Sequence, residues 1–122
     1  MAHQLGGFYN LPHGQCNAVL LPVVQQFNSK AVPELFIDIA KAMGYNDVGE
    51  DKDKAVRLVI DGIKKLKSDV GIPTNLKAMG VKLEDIPTLA DNAMKDACGF
   101  TNPILPTKAQ VEQMFVDAYN QE

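Results

Sequence analysis

Apolar residues recur at helical spacing along almost the whole chain, and this periodicity limits the fold more than any other feature. Lysine and aspartate fill many of the positions between them, as on the solvated side of an amphipathic helix. No segment alternates with period two for long enough to predict a strand. The helical segments cover residues 16–27, 35–43, 56–70, 86–97 and 111–118. The sequence therefore predicts an all-α fold, a single bundle-like domain of five or six helices over residues 1–122.

Proline, glycine and threonine mark where several of these helices should bend, begin or end. Pro22 lies inside the first segment, where it should kink or divide the helix. Thr107 is a predicted N-cap for the last helix. Residues 1–5 have the pattern of the last turn of a helix that ends near Gly6 and Gly7. A helix that lacks its beginning suggests that the chain is a fragment of a longer protein.

The composition argues against several classes of function. The 122 residues are 46% hydrophobic and 22% charged, which is ordinary for one globular domain with a real core. A net charge of −3 argues against a nucleic acid or an anionic membrane as partner, because both favour a basic face. No apolar run approaches the roughly 20 residues of a membrane span, and the N-terminus has no secretory signal pattern. Cys16 and Cys98 have neither metal nor redox spacing, so a reduced, cytoplasmic setting is predicted.

Both histidines of the chain lie within its first 13 residues. Most single histidines occupy surface or satisfied interior positions, but His13 has a more specific setting. Pro12 fixes the backbone before it, Gly14 allows a close approach after it, and a helix follows. An imidazole on such a turn suits metal binding in a cleft, and His3 could point into the same cleft. A catalytic metal needs three or four protein ligands, so the residues alone indicate part of a site.

Several motifs of the chain resemble one known family. The stretch MAHQLGGFYNLPHGQCNAVLLP resembles the signature of the iron-dependent (group III) alcohol dehydrogenases. The blocks FNSKAVPELFIDIAKAMG, DVGIPTNLKAMGVKLEDIPTLADNAMKDACGFTNP and TKAQVEQMFVDAY follow the family in the same order. The resemblance therefore covers nearly the whole chain. The DAC-x-x-TNP block is most similar to the short-chain alcohol and 1,3-propanediol dehydrogenase branch.

The resemblance implies an enzyme of two domains, of which this chain is the C-terminal, helical, metal-side domain of the dehydroquinate synthase-like fold. The N-terminal α/β domain, which binds NAD(P), would be missing, and no residue here matches it. The intact enzyme would interconvert small primary alcohols and aldehydes by metal-assisted hydride transfer, with iron(II) or zinc. His13 matches the metal ligand of the PHG motif, and His3 matches the second histidine of an H-x-x-x-H pair, a catalytic candidate for the proton relay. Cys98 matches a position beside the substrate channel.

The resemblance also implies that the chain is incomplete as a catalyst. One of the family's four metal ligands is present, so the fragment alone should hold no metal tightly and should be inactive. Loss of the upstream segment should expose apolar surface near the start of the chain, which predicts a homo-oligomer. The alternative is a stand-alone helical module with a binding or assembly role; the retained histidines favour the enzyme. The residues of the predicted apolar surface are Leu5, Phe8, Tyr9 and Leu11.

Overall fold

The computed structural model describes residues 1–96 and 101–121, and all regular structure in these two ranges is helical. The predicted all-α class is therefore confirmed. Two single-turn 3-10 helices, Lys77–Met79 and Leu83–Asp85, precede the fifth α-helix. The α-helices are α1 (Ala2–Tyr9), α2 (His13–Asn28), α3 (Leu35–Ala42), α4 (Lys52–Asp69), α5 (Ile86–Met94) and α6 (Lys108–Asn120).

The larger of two apolar clusters lies between α1, α2, α5 and α6. Each of these helices contributes a side chain that is completely buried. Burying one such side chain contributes about 1.5–3 kcal/mol, so the cluster fixes the four helices against one another. The buried residues that represent the four helices are Leu5, Val19, Leu89 and Phe115.

A smaller apolar cluster joins α3 to α4. Its centre is Phe36, which is 2% exposed and packs with Ala40, Val48, Ala55 and Val59. The two clusters have no buried residue in common. The molecule therefore has one core beneath the histidine-bearing helices and a second core under the α3–α4 pair.

The first helix is longer than the sequence predicts. It runs through Gly6 and Gly7 to Tyr9, and it ends where Asn10 adopts a left-handed conformation with a φ of 55°. Two glycines inside a helix cost about 1 kcal/mol each relative to alanine. The complete burial of Leu5 offsets that cost, and it contradicts the prediction that Leu5 lies on an exposed apolar surface.

The second helix is not divided at Pro22. It is continuous from His13 to Asn28, and Pro22 is a buried residue within it. Proline removes one helical hydrogen bond, but packing of its ring in a buried position stabilises the helix. The Gln121 side-chain amide also contacts this helix, donating to the Val19 carbonyl at 2.7 Å.

The last helix begins at the N-cap that the sequence predicts. Thr107 is its N-cap, and its hydroxyl accepts a hydrogen bond from the Gln110 backbone N–H at 3.2 Å. The Gln110 side chain accepts in return from the Thr107 backbone N–H at 2.9 Å. This reciprocal capping box satisfies two backbone donors that would otherwise have no partner. Within the two described ranges, no helix has both the length and the apolarity that a membrane span needs.

Candidate functional site

The two histidines lie side by side at the beginnings of α1 and α2. A short connection makes this arrangement, because Asn10 turns the chain and Pro12 enters α2 with a φ of −58° and a ψ of 128°. The rings of His3 and His13 are stacked, with centroids 5.4 Å apart and planes inclined by 20°. The fold thus brings together the two imidazoles that the sequence singles out.

His13 is the first residue of α2 and is exposed. The side-chain amide of Asn17, one helical turn later, donates a hydrogen bond to His13 Nε2 at 3.0 Å. A β-carbon at Gly14 would have no other atom within 4 Å. The space beside the Gly14 backbone is therefore open among the described residues.

His3 has a carboxylate partner that lies far away in the sequence. Its Nδ1 is 2.8 Å from Asp96 Oδ2, and the Gln4 side-chain amide donates to the same oxygen at 3.2 Å. The His3 side chain is 53% exposed, whereas that of Asp96 is only 16% exposed. The carboxylate is thus the sheltered partner, and the imidazole is the part that faces outward.

A cavity of about 700 Å³ lies near the histidines; Asn17 and Asp96, their hydrogen-bond partners, line it, and His3 and His13 do not. It extends between α2, α5 and α6, and apolar side chains form most of its wall. Three of its lining residues have polar side chains, namely Asn17, Asp96 and Asn102. A wall of this kind suits a mostly apolar occupant that carries a polar group at one end.

The residues fit a transition metal in type but not in number. Imidazole nitrogens are common ligands of iron and zinc. Among residues 1–96 and 101–121, however, no group of three or more histidine, cysteine, aspartate or glutamate side chains could hold a metal ion. The described part of the chain can therefore supply one side of a coordination sphere, and the other ligands would have to come from elsewhere.

Of the two cysteines, only Cys16 lies within the described residues. Cys16 is completely buried in the larger cluster, and burial raises the pKa of its thiol. A protonated thiol in the core is a packing residue rather than a nucleophile. Cys98, the predicted substrate-binding residue, lies outside the described residues.

Tyr9 holds the far end of α1 in place. Its hydroxyl donates a hydrogen bond to Asp85 Oδ2 and accepts one from the Lys82 backbone N–H at 3.1 Å. Burial, followed by the hydrogen bond to Asp85, raises the pKa of Tyr9 above its ordinary value of 10.0. The folded protein therefore holds this proton more tightly than the unfolded chain does.

The raised pKa of Tyr9 predicts how the stability of the protein changes at alkaline pH. Because the folded state binds the Tyr9 proton more tightly, its contribution to stability is complete below about pH 10 and is lost as the pH rises through the raised pKa. An absorbance titration of the three tyrosines should show one that ionises late. Tyr9→Phe should remove that late component, and Tyr119→Phe serves as the control. A late component that survives Tyr9→Phe would contradict the assignment.

Two residues of this site, Gln4 and Asp96, were not singled out by the sequence. Asn17 follows His13 by four positions, so the sequence places the two as neighbours on a helix and favours packing for Asn17; the structure instead has Asn17 exposed and bonded to the His13 ring. Gln4 and Asp96 could not have been found in this way, because their pairing depends on the packing of α1 against α5. The acidic residues as a group have the pattern of a solvated surface, and Asp96 departs from it.

Comparison with known proteins identifies close relatives. Residues 1–119 match the family model described as the Fe-containing alcohol dehydrogenase family, C-terminal. The chain is 45% identical over 119 residues to 1,3-propanediol dehydrogenase of Citrobacter freundii, covering 98% of this chain and 31% of that protein. It is 40% identical over 119 residues to lactaldehyde reductase of Escherichia coli K12, with the same coverage.

A solved structure is similar to this chain in both fold and sequence. The chain superposes on a crystal structure of 1,3-propanediol oxidoreductase with a TM-score of 0.93 and 44% sequence identity. The match covers 97% of this chain and 31% of the other. The protein thus spans about a third of the length of the relatives that it matches.

Proposed function

The chain belongs to the Fe-containing alcohol dehydrogenase family, as its C-terminal part, and we propose that it forms the metal-side domain of an NAD(P)-dependent enzyme. In this proposal residues 1–122 are one helical domain, and an N-terminal α/β domain supplies the cofactor site. The intact enzyme interconverts small primary alcohols and aldehydes in the cytoplasm. The observation that carries the proposal is the stacked pair of His3 and His13 in a chain that matches the family over residues 1–119.

His13 is the residue proposed to bind the metal. It stands at the start of α2 and is exposed, so a ligand from another segment can approach its ring. Iron(II), or zinc in its place, would act as a Lewis acid on the oxygen of the alcohol. The Asn17 amide holds the ring of His13 and would have to leave Nε2 if the metal binds at that nitrogen. In this proposal the remaining ligands come from the N-terminal segment that the longer relatives have.

His3 is the residue proposed to move the proton. Its ring lies against that of His13 and is half exposed, so it can exchange a proton with both the site and solvent. Cys98 is proposed to line the substrate channel. The named activities of the relatives, on 1,3-propanediol and lactaldehyde, suggest a short substrate with a second oxygen function.

A chimeric enzyme tests the proposal. This chain would replace the matching C-terminal third of Citrobacter freundii 1,3-propanediol dehydrogenase. We expect the chimera to bind stoichiometric iron and to oxidise 1,3-propanediol with NAD, because the chain supplies the side of the metal site that contains His13. We expect the isolated chain to do neither, because its described residues supply too few ligands.

Each result of this test has a clear meaning. A chimera that folds but binds no metal would overturn the assignment and favour a helical module with a binding or assembly role. An isolated chain that retains one equivalent of iron or zinc after dialysis would overturn the claim that its site is incomplete. Light scattering of the isolated chain tests the predicted homo-oligomer, which a monodisperse monomer would contradict.

A further inference from the structure

His3 and Asp96 form a short contact at the edge of the candidate site. The two residues are 93 positions apart, yet His3 Nδ1 and Asp96 Oδ2 are 2.8 Å apart. Asp96 follows the end of α5, and His3 lies in the first turn of α1. Leu5 and Leu89, both completely buried, anchor these two helices in the same cluster. The core therefore fixes the distance between the carboxylate and the ring.

A second contact restrains the carboxylate itself. The side-chain amide of Gln4, the residue after His3, donates to Asp96 Oδ2 at 3.2 Å. Oδ2 thus accepts from two neighbouring residues of α1. An accepting atom held in this way gives the imidazole a defined orientation as well as a partner.

The chemistry of this contact determines which nitrogen of His3 carries the proton. An ionised carboxylate can only accept hydrogen bonds, so a neutral His3 must donate from Nδ1–H. The lone pair of the ring is then on Nε2. In carboxylate–histidine pairs of this kind, the carboxylate keeps the imidazole in one tautomer and one orientation.

We propose that Asp96 is the positioning residue of His3: with Gln4, it fixes the Nδ1–H tautomer and leaves Nε2 as the nitrogen that exchanges protons. The inference rests on the proposed function of His3 in a proton relay. It holds for a neutral and for a protonated ring, because an ionised Asp96 requires a proton on Nδ1 in both states. Asp96 acts through His3 and has no proposed contact with substrate or cofactor.

Nitrogen-15 NMR of the chain measures the tautomer directly. Long-range proton–nitrogen spectra would be recorded at about pH 8.5, two units above the ordinary histidine pKa of about 6.5. The chain has two histidines, so His13→Gln assigns the spectrum. In the unsubstituted chain we expect His3 Nδ1 to be protonated and Nε2 unprotonated. Finding the proton on His3 Nε2 would overturn the proposal.

Substitutions identify the source of the tautomer preference. Asp96→Ala should abolish the Nδ1–H preference of His3, and Asp96→Glu should restore it in part because it keeps a carboxylate. Asp91→Ala is the matched control, since Asp91 is an exposed α5 carboxylate that pairs with Lys108. An unchanged tautomer in a folded Asp96→Ala chain would overturn the proposal.

The tautomer measurement is independent of dehydrogenase activity. If the chimera proved inactive while His3 kept its Nδ1 proton, the proposed function would fail and the His3–Asp96 geometry would stand. If the chimera were active while the proton lay on Nε2, the proposed function would stand and the role of Asp96 would fail.

Discussion

His3→Ala in the chimera is expected to lower kcat by about 10²–10⁴-fold, the usual contribution of a positioned general acid or base. Metal content should remain close to that of the parent chimera, because His3 is proposed to move a proton and not to bind the metal. The His3 side chain is 53% exposed, so its removal should change the free energy of unfolding little. Steady-state kinetics together with elemental analysis of iron would measure both effects.

His13→Ala is the matched control, because it removes the neighbouring imidazole from the same face. It should lose most of the iron, and activity should fall with metal content. Added iron should restore activity partly in His13→Ala and not in His3→Ala. The reverse pattern, with metal lost in His3→Ala and kept in His13→Ala, would contradict the assignment of the two residues.

Phe115→Ala is expected to lower the free energy of unfolding by about 3–5 kcal/mol, the range seen when a buried phenylalanine is truncated. Phe115 lies on α6 in the larger cluster and is 0% exposed. Its removal leaves a cavity that the helices around it can fill only in part. Since a domain of this kind is stable by about 5–15 kcal/mol, this loss would be a large share of the total. Urea unfolding followed by far-ultraviolet circular dichroism would measure it.

Phe8→Ala is the control of the same chemistry at an exposed position. Phe8 is 50% exposed, so truncating it should cost less than about 1 kcal/mol. Similar losses for the two variants would mean that the helices do not pack around Phe115 as described. A larger loss for Phe8→Ala would point to a buried interface at the start of the chain.

The helical elements could be predicted from the sequence because each depends on a local pattern. The apolar spacing of α5 indicates which face is buried, and Thr107 signals the start of α6. In α4 the apolar spacing is right only for the first half of the helix, because Leu66 and Val70 are exposed and Lys67 is buried. The end of α1 could not be predicted, because two glycines are a local stop signal that the burial of Leu5 overrides. The continuity of α2 through Pro22 likewise depends on tertiary packing around the buried proline.

The candidate site was predictable only where its residues are close in the sequence. His3 and His13 are joined by a short turn, and their likeness to a known motif indicates a shared role. Asp96 is 93 residues from His3, and no spacing rule connects an aspartate after α5 with a histidine on α1. The stacking of the two rings is also a product of packing, since it depends on how α1 and α2 cross.

The separation of the two apolar clusters has a consequence for how the molecule opens. A unit with its own core can unfold while the rest of the protein stays native, and amide hydrogen exchange detects such openings as cooperative units. The α3–α4 pair has a core of this kind, because Phe36 and its neighbours form a cluster distinct from that of α1, α2, α5 and α6, although α4 also packs against α2. Backbone amides of α3 should then exchange through a partial opening that leaves the stacking of the His3 and His13 rings unchanged. Because α4 also packs against α2, the helix that carries His13, we expect this partial opening to be confined to α3.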